Sequence, residues 1–313
     1  MHTGFTETKV KPEFPLYIPS KGRAEYMMTS KALTSMKVPH YLIVESDQID
    51  EYAKAIKHWD LLTTIIELDL SFKEKYELCD DLGLSKSTGP GPARNFAWEH
   101  SKSDGYAWHW VMDDNIKHFH RFNKNLQVKV TDGTCFKVME DFVQRYTNIG
   151  MAGPNYMMFA PRKTRLPPFV LNTRIYSCNL IRNELRYRWR GRYNEDTILS
   201  LDILKAGWCT TQFNVFLQEK TNTQTMKGGN TEEFYHKEGN VLEGERYADT
   251  GTLEKSKMQV KVHPDCSRLV KKYGRWHHHV DYNRFKKQKL IRRSDIDWTG
   301  QVKDYGMKMV KVR

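Results

Sequence analysis

The sequence predicts an α/β fold: a mostly parallel sheet flanked by helices, followed by a basic C-terminal extension. Three observations predict it. Apolar runs of strand length alternate with stretches of helical spacing through the first half of the chain. Strand, helix, strand in that order implies parallel pairing through right-handed crossovers. Polar turns follow the apolar runs, at the carboxyl ends where open α/β sheets bind ligands.

Taken in order, 15–18 is a short apolar run entering the loop Pro19-Ser20-Lys21-Gly22, and reads as a buried strand. Ala24, Met27, Met28, Ala32 and Leu33 have helical spacing and predict a helix over 24–35, with an apolar run at 38–45 after it. A helix over 50–59 and a strand over 61–68 complete the first units. Gly89-Pro90-Gly91-Pro92 then breaks the chain before a helix over 93–100, where an early proline loses no needed donor. A buried strand over 106–112 ends abruptly in Asp113-Asp114-Asn115. The middle is less regular. It holds an amphipathic helix over 135–146, a strand over 170–181, a helix over 196–206 and a strand over 210–217. The Thr-, Asn- and Gly-rich segment 221–245 has the composition of a mobile loop, and 258–263 reads as a short strand. The expected division is one α/β domain over 1–267, with halves over about 15–117 and 118–267, and a basic extension over 268–313 packing on the same domain.

Composition excludes several classes. The 313 residues are enough to bury a core, and no apolar run approaches the roughly 20 residues of a membrane span. A polar, proline-punctuated start predicts no secretory signal. Five scattered cysteines without Cys-x-x-Cys argue for a reducing compartment and against a disulfide scaffold or zinc ribbon. The net charge of +12 is uneven: 268–313 carries 14 Lys/Arg against 4 Asp/Glu, and 156–192 carries 9 against 1. Two such clusters, interleaved with Tyr187, Trp189, Trp276 and Tyr282, predict a polyanion partner, nucleic acid first. Arg186, Arg188, Arg190, Arg192, Lys286 and Lys287 are the candidate DNA contacts, and a solvated helix and tail the plain alternative.

Two polar motifs fall at strand ends. Adjacent Asp113 and Asp114 repel each other and need a counter-charge, which a divalent cation with phosphate ligands would supply; a capped, solvated turn is the alternative. Gly89-x-Gly91-x-x-Arg94 lacks the spacing of a Walker or dinucleotide fingerprint, but its glycines permit close backbone approach and Arg94 sits in the first helical turn, a plausible diphosphate site. Asn194-Glu195-Asp196 either caps a helix or supplies a general base. His277-His278-His279, if extended, points His277 and His279 one way and His278 the other, toward metal, phosphate or plain solvent.

In combination these pieces resemble a GT-A nucleotide-sugar glycosyltransferase. Tyr17 to Arg23, Trp110 to Ile116 and Tyr193 to Thr197 are similar to the TET-associated, phage-type DNA glycosyltransferases, which act on hydroxymethylated pyrimidines. The resemblance implies that Pro19, Ser20, Lys21 and Arg23 line the nucleobase and diphosphate pocket, and that Arg94 and Asp113 bind nucleotide or sugar. It implies that Asp114 and Asp113 hold Mn²⁺ or Mg²⁺, with His277 or His279 beside the diphosphate, and that Asp196, or Glu195, is the catalytic carboxylate of an inverting transfer. Asn115 stands where many such enzymes have aspartate, which implies either that metal ligation rests on Asp114 or that metal dependence is weak. The implied donor is a UDP-sugar, arabinose or glucose, and the implied acceptor is 5-hydroxymethylcytosine in DNA, with no membrane partner. A phage-encoded protein acting in the cytoplasm of a host bacterium follows from the same resemblance. A protein or carbohydrate acceptor, a non-catalytic nucleic-acid-binding module and a nucleotidyltransferase are the rival readings.

Overall fold

The computed structural model describes residues 10–80, 87–162, 165–221, 252–272 and 274–296. Strands β1 (Leu16–Pro19), β2 (His40–Val44), β3 (Thr63–Glu67) and β4 (Trp108–Met112) pair in the order β3-β2-β1-β4, all parallel. Between them run helices α1 (Met28–Ser35), α2 (Ile49–Trp59), the single turn α3 (Ser71–Glu74) and α4 (Gly91–Ser103). The second half of the chain extends the same sheet. Its strands are β5 (Ile116–Asn123), β6 (Leu126–Lys129), β7 (Ile149–Tyr156), β8 (Phe169–Leu171), β9 (Cys178–Arg182) and β10 (Cys209–Lys220). They follow β4 in the order β9-β7-β10-β5-β6, with β8 on β10. Here only β7 and β10 pair in parallel; β9, β5, β6 and β8 run antiparallel to their neighbours.

Period-2 alternation divides the strand residues between two cores. Leu16, Ile18, Leu42, Val44, Trp110 and Met112 pack with Leu33 of α1, Tyr52 of α2, and Phe136 and Met139 of α5 (Thr134–Val143). Tyr17, Ile43 and Val111 belong to the other core, with Ala97 and Trp98 of α4 and Leu199 and Ile203 of α6 (Glu195–Lys205). Helices thus cover both faces, as parallel strands require.

The chain is α/β as the sequence predicts, with one large sheet flanked by helices that is parallel in its first half and mixed in its second. The parallel half is the part with clear strand–helix alternation. The antiparallel half went unread because β5 and β6 form a hairpin whose turn residues, Lys124 and Asn125, both have positive φ without a glycine to signal it. The single strand expected over 170–181 is two, β8 and β9, separated by left-handed Asn172 and Ser177. Left-handed Met27 delays α1 to Met28. The strand expected over 258–263 is part of helix α7 (Thr252–Val262). Its apolar residues alternate like a strand's, yet buried Ser256, Gln259 and, just past the helix end, His263 have helical spacing and are polar, with Met258 the buried apolar residue among them. After α7, β11 (Ser267–Lys272) and β12 (Arg275–Val280) form a separate hairpin. The basic segment beyond it is tied down through Asn148 to the Lys289 carbonyl at 2.8 Å and Asn172 to the Phe285 carbonyl at 2.9 Å. The loop expected over 221–245 lies outside the described residues apart from Thr221.

Candidate active site

Strands β1 and β4 are parallel neighbours, with Tyr17 opposite Val111, so the loops after them emerge side by side. The loop after β1 places Ser20 and Arg23 on Asp114: the Ser20 hydroxyl donates at 2.8 Å and the Arg23 guanidinium at 2.6 Å. Buried Tyr52 of α2 braces that loop through its hydroxyl, 2.8 Å from Ser20 Oγ and accepting from the Arg23 amide at 3.0 Å. Thr29 clamps the other strand end: its hydroxyl donates to the Asp113 carbonyl and accepts from the Ile116 amide. Lys21 points away from the carboxylates, 3.4 Å from Glu45.

Arg94 joins this strand end to the start of α6. Only 3% of its side chain is exposed, and it reaches Asp113 at 2.7 Å, Asp196 at 3.0 Å and Glu195 at 3.1 Å while lying over the Trp189 ring. A planar fork with several fixed donors can bridge three carboxylates at once, which an ammonium cannot do with the same geometry. Lys220, at the end of β10, pairs with the second oxygen of Asp113 and donates to Ser177 Oγ at 2.9 Å. Asn179 approaches Asp196 at 3.5 Å. Burial by itself raises the Asp113 carboxyl, but Lys220 and Arg94 outweigh it and hold the group well below the usual carboxylate range. At Glu195 and Asp196 burial wins over Arg94, and both lie above their ordinary values; Asp114 is raised by burial too, despite Arg23. One carboxylate firmly ionised beside three held higher is an arrangement that separates a charge-binding role from a proton-accepting one.

The counter-charge that Asp113 and Asp114 require is therefore supplied by Arg23, Arg94 and Lys220. Among the described residues, the His, Cys, Asp or Glu ligand atoms that gather within 4.8 Å are those of His263, Asp265 and Cys266. Asp265 there is already paired with Lys205 at 2.8 Å. The glycines of 89–91 serve packing within the chain: a Cβ on Gly89, at φ +74°, would lie 3.0 Å from the Arg192 carbonyl, and one on Gly91 would fall inside the Tyr76 ring.

The histidines sort by strand face. His278 looks toward α7 and Arg174, with Ser256 Oγ at 3.5 Å, and burial, then Lys255 and Arg174, push it down to about 4. His277 and His279 flank it on β12, and His279 is exposed at the rim of a cavity described below. Three of the four arginines expected to hold DNA are committed to internal ion pairs. Arg192 is fully buried, its fork on Asp80 at 2.6 and 3.2 Å, and cannot meet a phosphate. Arg190 forks onto Asp202 at 3.0 Å, and Arg188 pairs with Glu99 at 2.6 Å over Trp98. Arg186, Lys286 and Lys287 are exposed.

Sequence reading missed Lys220, Ser177, Asn179, Arg174 and Lys255. A lysine ending a strand and a serine between a tyrosine and a cysteine carry no local signal; only the sheet order brings them to Asp113.

The model of the TET-associated glycosyltransferase family matches residues 14–229. No curated protein matches the chain. No described helix is long and apolar enough to cross a membrane. The matched span is more than half of the chain and contains every residue of the Arg94 cluster, from Ser20 to Lys220, so the chain belongs to the TET-associated glycosyltransferase family.

Proposed function

We propose that this chain is a GT-A-type DNA glycosyltransferase that moves a sugar, arabinose or glucose, from a UDP-sugar to the hydroxymethyl group of 5-hydroxymethylcytosine, as a phage-encoded enzyme in the host cytoplasm. The observation that carries the reading is the Arg94 cluster. It joins the strand end expected to bind the donor, Asp113, to the carboxylate pair expected to act on the acceptor, Glu195 and Asp196.

In this reading Pro19, Ser20, Lys21 and Arg23 border the nucleotide, with Asp113 facing the donor under the control of Arg94 and Lys220. Asp196 accepts the proton of the hydroxymethyl group as its oxygen bonds to the anomeric carbon. The bond from that carbon to the diphosphate oxygen breaks, inverting the configuration. A raised carboxyl is the stronger base once ionised, which favours Asp196 over Asp113 for this role. The donor set at the β4 end fits a hard cation: Asp114 and Asp113 offer carboxylate oxygens, and buried Asn115 Oδ1 has no hydrogen-bond partner among the described residues. Mn²⁺ or Mg²⁺ bound there would neutralise charge on the departing diphosphate. Asp114 shares its oxygens with Arg23 and Ser20, so a cation competes with Arg23 for it. His278, between His277 and His279 on β12, lies within electrostatic reach of Arg174 and Lys255.

A protein or carbohydrate acceptor is the second reading, favoured by the internal pairing of Arg188, Arg190 and Arg192. One screen separates the two. Purified protein, Mn²⁺ and a panel of UDP-sugars are mixed with hydroxymethylcytosine DNA or unmodified DNA, and digested nucleosides are weighed. A pentose or hexose gain on the modified base alone is expected. UDP release without a modified nucleoside moves the acceptor elsewhere.

A further inference from the structure

Beside Asp196 lies a cavity of about 350 Å³, within the size range of small-molecule sites. Its wall is built from Tyr176, Arg174, Thr197, Gln212, His278 and Tyr282, and it takes no residue from β1 to β4. Thr197 follows Asp196 directly on α6, and the Asp196 carboxylate, held by Arg94 at 3.0 Å, is also within electrostatic reach of Arg174 and Tyr282 of the wall. Two features of the wall await a ligand. Among the described residues, no carboxylate lies within ion-pair distance of Arg174, whose guanidinium sits over the Tyr176 ring at 4.5 Å. The buried hydroxyl of Tyr282 likewise has no hydrogen-bond partner among them. Gln212 adds an amide, and His278, kept neutral at physiological pH, adds a ring that can accept or donate.

The rim is of a different kind. Phe159 borders the cavity and is 52% exposed, and its neighbour Met158 is 68% exposed. Both stand on the short turn after β7, with exposed Arg162 and Arg165 following. Large apolar side chains held out to solvent next to cations are the parts with which proteins enter a base stack from the phosphate backbone.

Resting on the glycosyltransferase reading above, we propose that this cavity is the acceptor-base pocket: a pyrimidine flipped out of duplex DNA enters it, against Tyr176 and with Gln212 at its polar edge, while Phe159 and Met158 fill the gap left in the stack. Arg174 meets the phosphate of the flipped nucleotide. The occupant is a nucleotide rather than the donor sugar because the wall is aromatic and cationic, and because no residue of the donor strands β1 to β4 lines it.

The test compares sugar transfer to hydroxymethylcytosine duplex with UDP release into water, for wild type, Gln212→Phe and Phe159→Ala. A 2-aminopurine immediately 3′ of the target reports unstacking. Gln212→Phe fills the cavity and is expected to lose transfer at least about tenfold more than UDP release. Phe159→Ala, at an exposed position where folding is not at stake, is expected to lose transfer on duplex but not on single-stranded DNA, together with the 2-aminopurine brightening. Equal losses of transfer and UDP release in Gln212→Phe, or unimpaired transfer in that variant, overturn the pocket while leaving a glycosyltransferase. A wild-type protein that turns over no UDP-sugar overturns the underlying reading, and the pocket with it.

Discussion

The two basic stretches look alike in sequence and differ in the folded chain. Between Arg182 and Arg192 the arginines alternate with aromatic residues, and the structure spends them internally: Arg188 on Glu99, Arg190 on Asp202, Arg192 on Asp80. Past β12, Lys286 and Lys287 stay exposed on a segment held to the body by backbone carbonyls rather than by its charges. Charge clustering reports a surface field only where no acid elsewhere in the chain answers it. The acids that answer the first stretch lie 12 to 112 residues away in sequence, out of reach of any local pattern.

The largest expected effect breaks the buried member of this comparison. Arg192→Met leaves Asp80 buried to 10% exposure without its fork and removes the donor to the Ser87 carbonyl. Breaking a buried pair by removing one partner costs about 3–5 kcal/mol. Thermal unfolding should show a drop of several degrees or a failure to fold. A variant with wild-type stability would return Arg192 to the list of candidate phosphate contacts.

Arg94 is a buried arginine of another kind, because its partners are the candidate chemistry rather than scaffold. Arg94→Lys keeps the charge but cannot hold Asp113, Glu195 and Asp196 in one plane. Transfer should fall by about 10²-fold, the scale of a 1 Å misplacement of reacting groups. Unfolding should shift less than in Arg192→Met. Equal stability losses in the two variants would make Arg94 scaffold as well.

What was legible follows the range of each signal. β1 to β4, the loop after Pro19 and the Asp113-Asp114 strand end are visible because strand periodicity and turn composition are local, and the parallel order follows from the alternation of elements. Glu195 and Asp196 were visible as a helix start. Their attachment to Asp113 through Arg94 was not, since it depends on α4 and α6 packing on the same face of the sheet. Lys220 was invisible for the same reason: β10 must cross the sheet to end beside Ser177, 43 residues earlier in the chain. The triplet of histidines shows the limit of face arithmetic. Alternation sets His278 apart from its neighbours on β12, but only α7, part of which the sequence predicts as a strand over 258–263, decides which side is inward. His279 still joins His278 in lining the cavity.

Acid pH separates the active-site ionisation from the scaffold's. Asp196 must be ionised to accept a proton, and burial raises it above the ordinary aspartate value of 3.8, so transfer should fall on the acid side from a pH above that value. The scaffold has its own acid limb. His40 and His109 are buried and pushed from 6.5 to about 4, so the unfolded chain takes up protons first. Their contribution is intact above pH 6.5 and is lost as pH falls toward 4. Transfer and unfolding temperature measured over the same series should therefore both decline. Asp196→Asn should abolish transfer while leaving the stability limb in place. A stability limb that also vanished would remove the histidines as its origin. A carboxyl raised in the fold takes up its proton there first and does not itself lower stability as pH falls.

The smallest expected change in the fold, and the most informative about the partner, is at Lys286 and Lys287. Both are exposed, so Lys286→Gln with Lys287→Gln should leave the unfolding temperature where it is. If the exposed stretch meets DNA phosphate, the two changes remove two phosphate contacts. The slope of log affinity against log salt should then flatten by about 1.8, at about 0.9 per contact. The same double change at Arg188 and Arg190 should do the reverse, lowering stability and leaving the salt slope alone, because those side chains are already neutralised by Glu99 and Asp202. An unchanged slope in the lysine variant would detach the C-terminal segment from DNA. The acceptor strand would then have to be held by Arg162, Arg165 and Arg174 at the cavity.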